Sequence, residues 1–314
     1  MPTLASNVPQ SVPSTKSGWS RLPPEYALPE QSPSETEARE YCKRLARTHY
    51  ENFSVATWFL PAALKQHFYN VYAYCRISDD LGDEVGDPTA SLELLDQWES
   101  ELDACYAGKR RHPVFVALAE TVRQFDIPKQ PFSDLLKAFR QDQTVPRYQA
   151  FEDLLGYCRY SANPVGHLVL YVCGYRDVER QALSDFTCTA LQLANFWQDV
   201  SLDYTKGRIY LPLEDLQRYG VNEDDIAAGR NTSTFCEMMR FEVERAREWF
   251  AKGLSLAAKV DGDLAIDIEL FTRGGQEILN AIERQKYAVL GSRPVISRTR
   301  KLRLVARAAL GKLL

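Results

Sequence analysis

Ten polar residues in two short stretches have the types and spacing that could do chemistry. The first stretch is "YAYCRISDDLGDE", residues 72–84. Read as a helix, successive residues turn by about 100°, so residues four apart lie about 40° apart. Tyr72, Arg76, Asp79 and Asp83 then share one stripe, with Asp80 and Glu84 on an adjacent one. In "LQLANFWQDVSLDY", Gln192, Asn195, Asp199 and Asp203 fall within about 80° of helix surface, in a body of Leu191, Leu193, Phe196, Trp197 and Val200. Carboxylates crowded on one helix repel one another, and burial adds a desolvation cost unless cations compensate. Taken singly, either stripe is most simply a solvated acidic surface. Taken together, two Asp-x-x-x-Asp pairs suit hard divalent cations. Mg²⁺ takes one or two protein carboxylates and fills its other positions with water and substrate phosphate, so two separated pairs imply Mg²⁺ bridging a diphosphate. Arg76, Lys206 and Arg208 supply cations for the same anion.

The elements that must carry these stripes are helical throughout. "SLELLDQWESELDACYAG" puts Leu95, Trp98 and Leu102 on one face and ends at Gly108, and Ser34 is placed to cap a helix over "ETEAREYCKRLARTHY". "FSDLLKAFRQDQ", "FEDLLGYCRYSA" and "STFCEMMRFEVERAREWFAKGL" follow the same pattern, with no run of alternating β-branched residues and no fixed-period repeat. The expected fold class is all-α, a single domain over residues 35–295. It is preceded by a Pro/Ser-rich arm, flexible or loosely docked, over 1–34, and followed by a basic tail over 296–314.

Composition excludes several functions. A net charge of −4 argues against nucleic acid as a partner. Seven scattered cysteines without CxxC, and four histidines without HExxH, read as reduced thiols in a cytoplasmic protein with no zinc site. No GxGxxG, GxxxxGK[ST] or GxSxG occurs. No apolar run reaches the roughly 20 residues of a membrane span, and the start lacks a signal-peptide pattern. The tail "SRPVISRTRKLRLVARAALGKLL" holds Arg293, Arg298, Arg300, Lys301, Arg303, Arg307 and Lys312 and no acid. It fits either peripheral contact with an anionic inner membrane or a solvated terminal helix.

"YAYCRISDDLGDE", "YCRYSANPVG", "LQLANFWQDVSLD" and "KGRIYLP" together resemble the squalene/phytoene synthase family of isoprenoid enzymes, over about residues 45–295. The resemblance implies an all-α fold with a cavity flanked by two Asp-rich helices, Mg²⁺, and an isoprenyl diphosphate substrate that is ionised to a carbocation. It implies metal ligation by Asp79, Asp83, Asp199 and Asp203, with Asp80 and Glu84 in second rank. It implies diphosphate binding by Arg76, Gln192, Asn195, Lys206, Arg208 and Tyr210, and catalytic roles for Tyr72 and Tyr157. It also implies association with other squalene-pathway enzymes.

Four departures narrow the branch. The early diphosphate segment reads "HYENFS", with His49 retained and Asn52 where a serine is usual. "SANPVG", residues 161–166, replaces the usual "VAGxVG". Gln198 stands where an arginine is common, and Leu202 where an acid is. "SANPVG" with "NFWQDV" resembles the hydroxysqualene synthase branch, which takes presqualene diphosphate, loses diphosphate and captures water, in bacterial squalene and hopanoid biosynthesis. Asn163 then becomes a candidate for holding the attacking water, or simply a turn residue before Pro164. Tyr72, Tyr157, Phe53 and Trp197 are candidate rings for cation–π contact. The alternatives are head-to-head condensation, giving presqualene diphosphate or phytoene, and a non-catalytic scaffold. A scaffold should have lost the acids, yet both Asp pairs and Arg76 are intact.

Overall fold

In the computed structural model, residues 18–48 and 61–311 are described. Thirteen helices occur among them: α1 (Glu35–Thr48), α2 (Ala62–Asp83), α3 (Pro88–Tyr106), α4 (Pro113–Phe125), α5 (Gln130–Gln141), α6 (Phe151–Ser161), α7 (Asn163–Val172), α8 (Val178–Thr205), α9 (Leu213–Tyr219), α10 (Glu223–Ala227), α11 (Ser233–Gly253), α12 (Gly262–Arg284) and α13 (Arg298–Gly311). The only β pairing among the described residues is one isolated bridge, between Arg147 and Ile209.

Local chemistry starts and stops these helices. Ser34 and Glu37 form a reciprocal cap on α1: the Ser34 N–H and hydroxyl donate to Glu37 Oε2 at 2.8 and 2.7 Å, and the Glu37 N–H donates back to Ser34 Oγ at 3.3 Å. Asp87 caps α3 through the Ala90 N–H (3.0 Å), with Pro88 in the first turn. After α3 the chain turns at Gly108, whose φ of 83° suits glycine. Leu95, Trp98 and Leu102 are buried on one face of α3, as their spacing requires. Pro164 separates α6 from α7: it opens the new helix, where its missing N–H leaves no bond unmade.

The packed interior has two parts. One gathers α1–α4 with Phe132, Leu135 and Leu136 of α5. The other gathers α6, α8, α9, α11 and α12. The first acidic helix, α2, belongs to one part and the second, α8, to the other. Alpha7 crosses α8 closely at Gly166, where a Cβ would lie 2.2 Å from Ser184 Oγ and 2.6 Å from Cys188 Sγ.

Part of the segment expected to be a loose arm is packed. Gly18–Arg21 and Pro24–Tyr26 form two 3-10 turns, Leu22 and Tyr26 are buried, and Trp19 Nε1 donates to Gln97 at 2.9 Å. The physical reason is that three apolar side chains among the prolines find a groove beside α2 and α3, which outweighs the local composition. No described helix is long and apolar enough to cross a membrane. The seven cysteines are unpaired, as expected of reduced thiols.

Candidate active site

Alpha2 and α8 bring the two acidic stripes to a shared end of the molecule. Asp83, the last residue of α2, accepts from Lys206 Nζ at 2.7 Å and from Arg208 Nη1 at 2.8 Å. Both cations follow directly on α8, so the ends of the two helices are pinned through one carboxylate. Burial works against the charge on Asp83, but Arg208 and Lys206 hold it below the usual carboxylate range.

Asp79, one turn earlier, is partly buried among the neighbouring side chains, with an edge open to solvent, and lies 3.5 Å from Arg76. Burial, followed by the Asp83 carboxylate, pushes it up to about 7. Alpha8 repeats the arrangement. Asp199 is paired with Arg293, at 2.5 Å from Nε and 3.0 Å from Nη2, and accepts from Asn195 Nδ2 at 2.8 Å. Asp203 is pushed up to about 7, first by burial and then by the charge of Asp199, with Lys206 and Arg208 opposing. Each pair therefore holds one acid matched by cations and one whose charge is disfavoured by its neighbours. No three described His, Cys, Asp or Glu side chains converge into a ready-made metal cluster. Two-carboxylate sites completed by phosphate and water have no need of one. Crowded, partly buried carboxylates with raised affinity for a positive charge fit a hard divalent cation.

The structure separates the remaining predicted residues into groups. Asp80 is buried: it accepts from Arg76 Nε at 3.0 Å, from a second Arg76 nitrogen, and from the Tyr26 hydroxyl at 2.6 Å. Arg76 is thus committed chiefly to Asp80, and both are tied to the packed N-terminal turn. Asp80 is thereby engaged by Arg76 and Tyr26, while Arg76 also reaches Asp79 at 3.5 Å. The i, i+4 geometry of Arg76 and Asp80 explains the pairing. Glu84 is exposed at the end of α2 and acts electrostatically on Lys206. Tyr72 is half buried one turn before Arg76, with its phenol pushed up by burial. Gln192 is half buried on α8, one turn before Asn195. Trp197 is fully buried as core packing. Asn163 is buried, and its Oδ1 accepts from Thr189 Oγ1 at 3.0 Å, which fastens α7 to α8. His49, Asn52 and Phe53 lie outside the described residues.

Tyr157 and Tyr210 are brought together by a residue that pattern reading missed. Their hydroxyls donate to the two oxygens of Asp142, at 2.8 and 3.1 Å. Around them Tyr148 lies 5.6 Å from Tyr157 and 5.8 Å from Tyr210, and Phe196 stacks on Tyr210 at 3.9 Å, forming an aromatic box. The box is built by the contact between the loop after α5 and the loop after α8. Ile209 N–H donates to Pro146 O at 3.0 Å, and Arg147 Nη1 to Gly207 O at 2.7 Å. A cleft of about 500 Å³ opens beside it, lined by Asp83, Asp142, Gln143, Lys206, Gly207 and Arg208 among others. One of the two missed residues carries a sequence signal and the other carries none. Asp142 is a carboxylate at a helix C-terminus, the end that disfavours negative charge. Arg293 precedes the tail helix yet turns back to the second acidic stripe, a contact across 94 residues that no local pattern encodes.

The squalene/phytoene synthase family model matches residues 46–300. The crystal structure of squalene synthase HpnC from Alicyclobacillus acidocaldarius is 45% identical and superposes with a TM-score of 0.76, over 86% of this chain and 98% of that one. A dehydrosqualene synthase crystallised with a ligand gives 26% identity and a TM-score of 0.79, over 88% and 96%. Among curated sequences, the 15-cis-phytoene synthase of Synechocystis sp. is 32% identical over 293 residues, 88% of this chain and 87% of that protein.

Proposed function

The chain belongs to the squalene/phytoene synthase family, and from that premise we propose that it ionises presqualene diphosphate and captures the cation with water to give hydroxysqualene. Diphosphate leaves in this reaction, so the enzyme is a carbon–oxygen lyase, and the product class places it in bacterial squalene and hopanoid biosynthesis.

The observation that carries the reading is the paired design of the two acidic helices. Asp79 and Asp83 on one, with Asp199 and Asp203 on the other, would hold Mg²⁺, which supplies Lewis-acid stabilisation of the departing diphosphate. Asp83 keeps Lys206 and Arg208 poised between the helices, where they can turn to phosphate oxygens and share the developing charge. Gln192 and Asn195 line the approach to Asp199 on the same stripe. The rings of Tyr157, Tyr210, Tyr148 and Phe196 give a polarisable apolar wall, and cation–π contact is worth about 2 kcal/mol when desolvated. "SANPVG" supports the branch: Asn163 is held at the start of α7 by Thr189, with an amide that can hydrogen-bond water.

Head-to-head condensation is the second reading, and the likeness to phytoene synthases favours it. Peripheral contact with the membrane belongs to the proposal as well. Arg298, Lys301 and Arg303 of α13 are exposed, and the proposed product is an apolar C30 alcohol. The test is to offer presqualene diphosphate and farnesyl diphosphate separately, with Mg²⁺, to the parent enzyme and to Asp79→Ala and Asp203→Ala. The reading requires turnover of presqualene diphosphate by the parent and its loss in both variants. Turnover of farnesyl diphosphate alone supports the second reading, and near-parent activity in both variants defeats the two-helix mechanism.

A further inference from the structure

Asp142 ends α5 with its carboxylate at the negative end of the helix dipole, an unfavourable place for a lone acid. It is nonetheless the shared acceptor of two phenols, Tyr157 of α6 and Tyr210 of the segment after α8. It also borders the solvent-open cleft. The charged and titratable groups acting on it are few: Arg208, which favours its charge, and Asp83, which opposes it, besides the two tyrosines. Tyr148 packs against both phenols, and its hydroxyl accepts from Gln141 Nε2 at 3.4 Å. Burial pushes Asp142 up to about 6, within reach of protonation near neutral pH.

We propose that Tyr157 and Asp142 form a proton relay that carries the reaction's proton from the aromatic box to the cleft. The relay rests on the reading above. Water capture of a carbocation forms a C–O bond and leaves an oxonium that must lose one proton. Closure of a cyclopropane in head-to-head condensation likewise releases one proton, from carbon. In either case the substrate proton passes to the Tyr157 oxygen as the Tyr157 hydroxyl passes its own proton to Asp142. Tyr157 ends neutral, Asp142 ends protonated, and it discharges to water in the cleft. No electron transfer is involved. Asp142 is a positioning residue that works through Tyr157, and Tyr210 holds the second oxygen so that the first stays aligned.

The experiment compares Asp142→Asn and Asp142→Gly with the parent at saturating substrate. The Gly variant is assayed with added formate and, as a control of equal size, formamide. The relay predicts a fall in kcat of about 10²-fold or more in both variants. It predicts at least tenfold recovery of the Gly variant by formate, measured at about pH 8 where the formate is ionised, and none by formamide. An Asp142→Asn enzyme within threefold of the parent kcat overturns the relay. So does equal recovery by formate and formamide, or no recovery by either. If the parent itself turns over neither diphosphate, the functional reading fails, a result distinct from failure of the relay.

Discussion

Lowering the pH from 8 to 6 should strip the site of its affinity for Mg²⁺, in a manner set by Asp79 and Asp203. Both carboxyls are pushed up to about 7, by burial first and by a neighbouring aspartate second. The metal binds the charged form, so protons compete with it. With both groups near 7, each is about nine-tenths charged at pH 8 and about one-tenth charged at pH 6. A site that needs both acids loses about 100-fold in apparent affinity over that interval, and a site that needs one loses about tenfold. The sign follows from the direction of the shift: a raised acid is neutral below its pKa, and affinity is regained as pH rises through it. The assay is calorimetric titration of the enzyme–diphosphate complex with Mg²⁺ at pH 7, in two buffers of different ionisation enthalpy, which counts protons released. About one is expected in all, roughly half from each acid. Asp83→Asn removes the charge that acts on Asp79 and should lower the count. Proton release near zero, with a half-saturating Mg²⁺ concentration unchanged from pH 8 to 6, would refute the reasoning.

Three further outcomes are expected. Gly166→Ala forces a Cβ onto Ser184 and Cys188, so urea denaturation should show a loss of about 1–3 kcal/mol; an unchanged midpoint would mean that α7 and α8 separate freely. Asn163→Ala should lower the share of alcohol in the product and raise that of rearranged hydrocarbons, read by gas chromatography; an unchanged product and rate would remove Asn163 from water positioning. Lys301→Gln with Arg303→Gln should weaken sedimentation with vesicles containing anionic lipid by about 1 kcal/mol per neutralised cation, with no effect on neutral vesicles; equal binding to both vesicle types would exclude an electrostatic role for α13.

How much could be read from the chain alone depended on the range of the interaction. The helices, the capping of α1 by Ser34 and Glu37, and the buried face of α3 rest on spacings of three and four residues, which the sequence displays directly. The two Asp pairs were legible for the same reason. What neighbours do to a side chain was not legible. Asp80 matches the metal-ligand spacing as well as Asp79 does, yet Tyr26, 54 residues earlier, helps fix it in the interior with Arg76. Lys206 and Arg208 could be placed near the site by their position after α8, but their common partner Asp83 is more than 120 residues away. Asp142 had no periodic companion at all. Its significance comes from two tyrosines on other elements and from a loop–loop contact, so only the fold reveals it. The N-terminal turns show the same limit from the other side: composition alone suggests a flexible or loosely docked arm, and the positions of Trp19, Leu22 and Tyr26 are set by the groove they fill.

The central claim is that this chain converts presqualene diphosphate to an alcohol by ionisation and water capture. One incubation tests it most directly: purified enzyme, Mg²⁺ and presqualene diphosphate in ¹⁸O-labelled water, with the products resolved by mass spectrometry. The account predicts hydroxysqualene carrying ¹⁸O at its hydroxyl, formed in step with released diphosphate. Recovery of unchanged presqualene diphosphate, under conditions where the same enzyme consumes farnesyl or geranylgeranyl diphosphate, would contradict it.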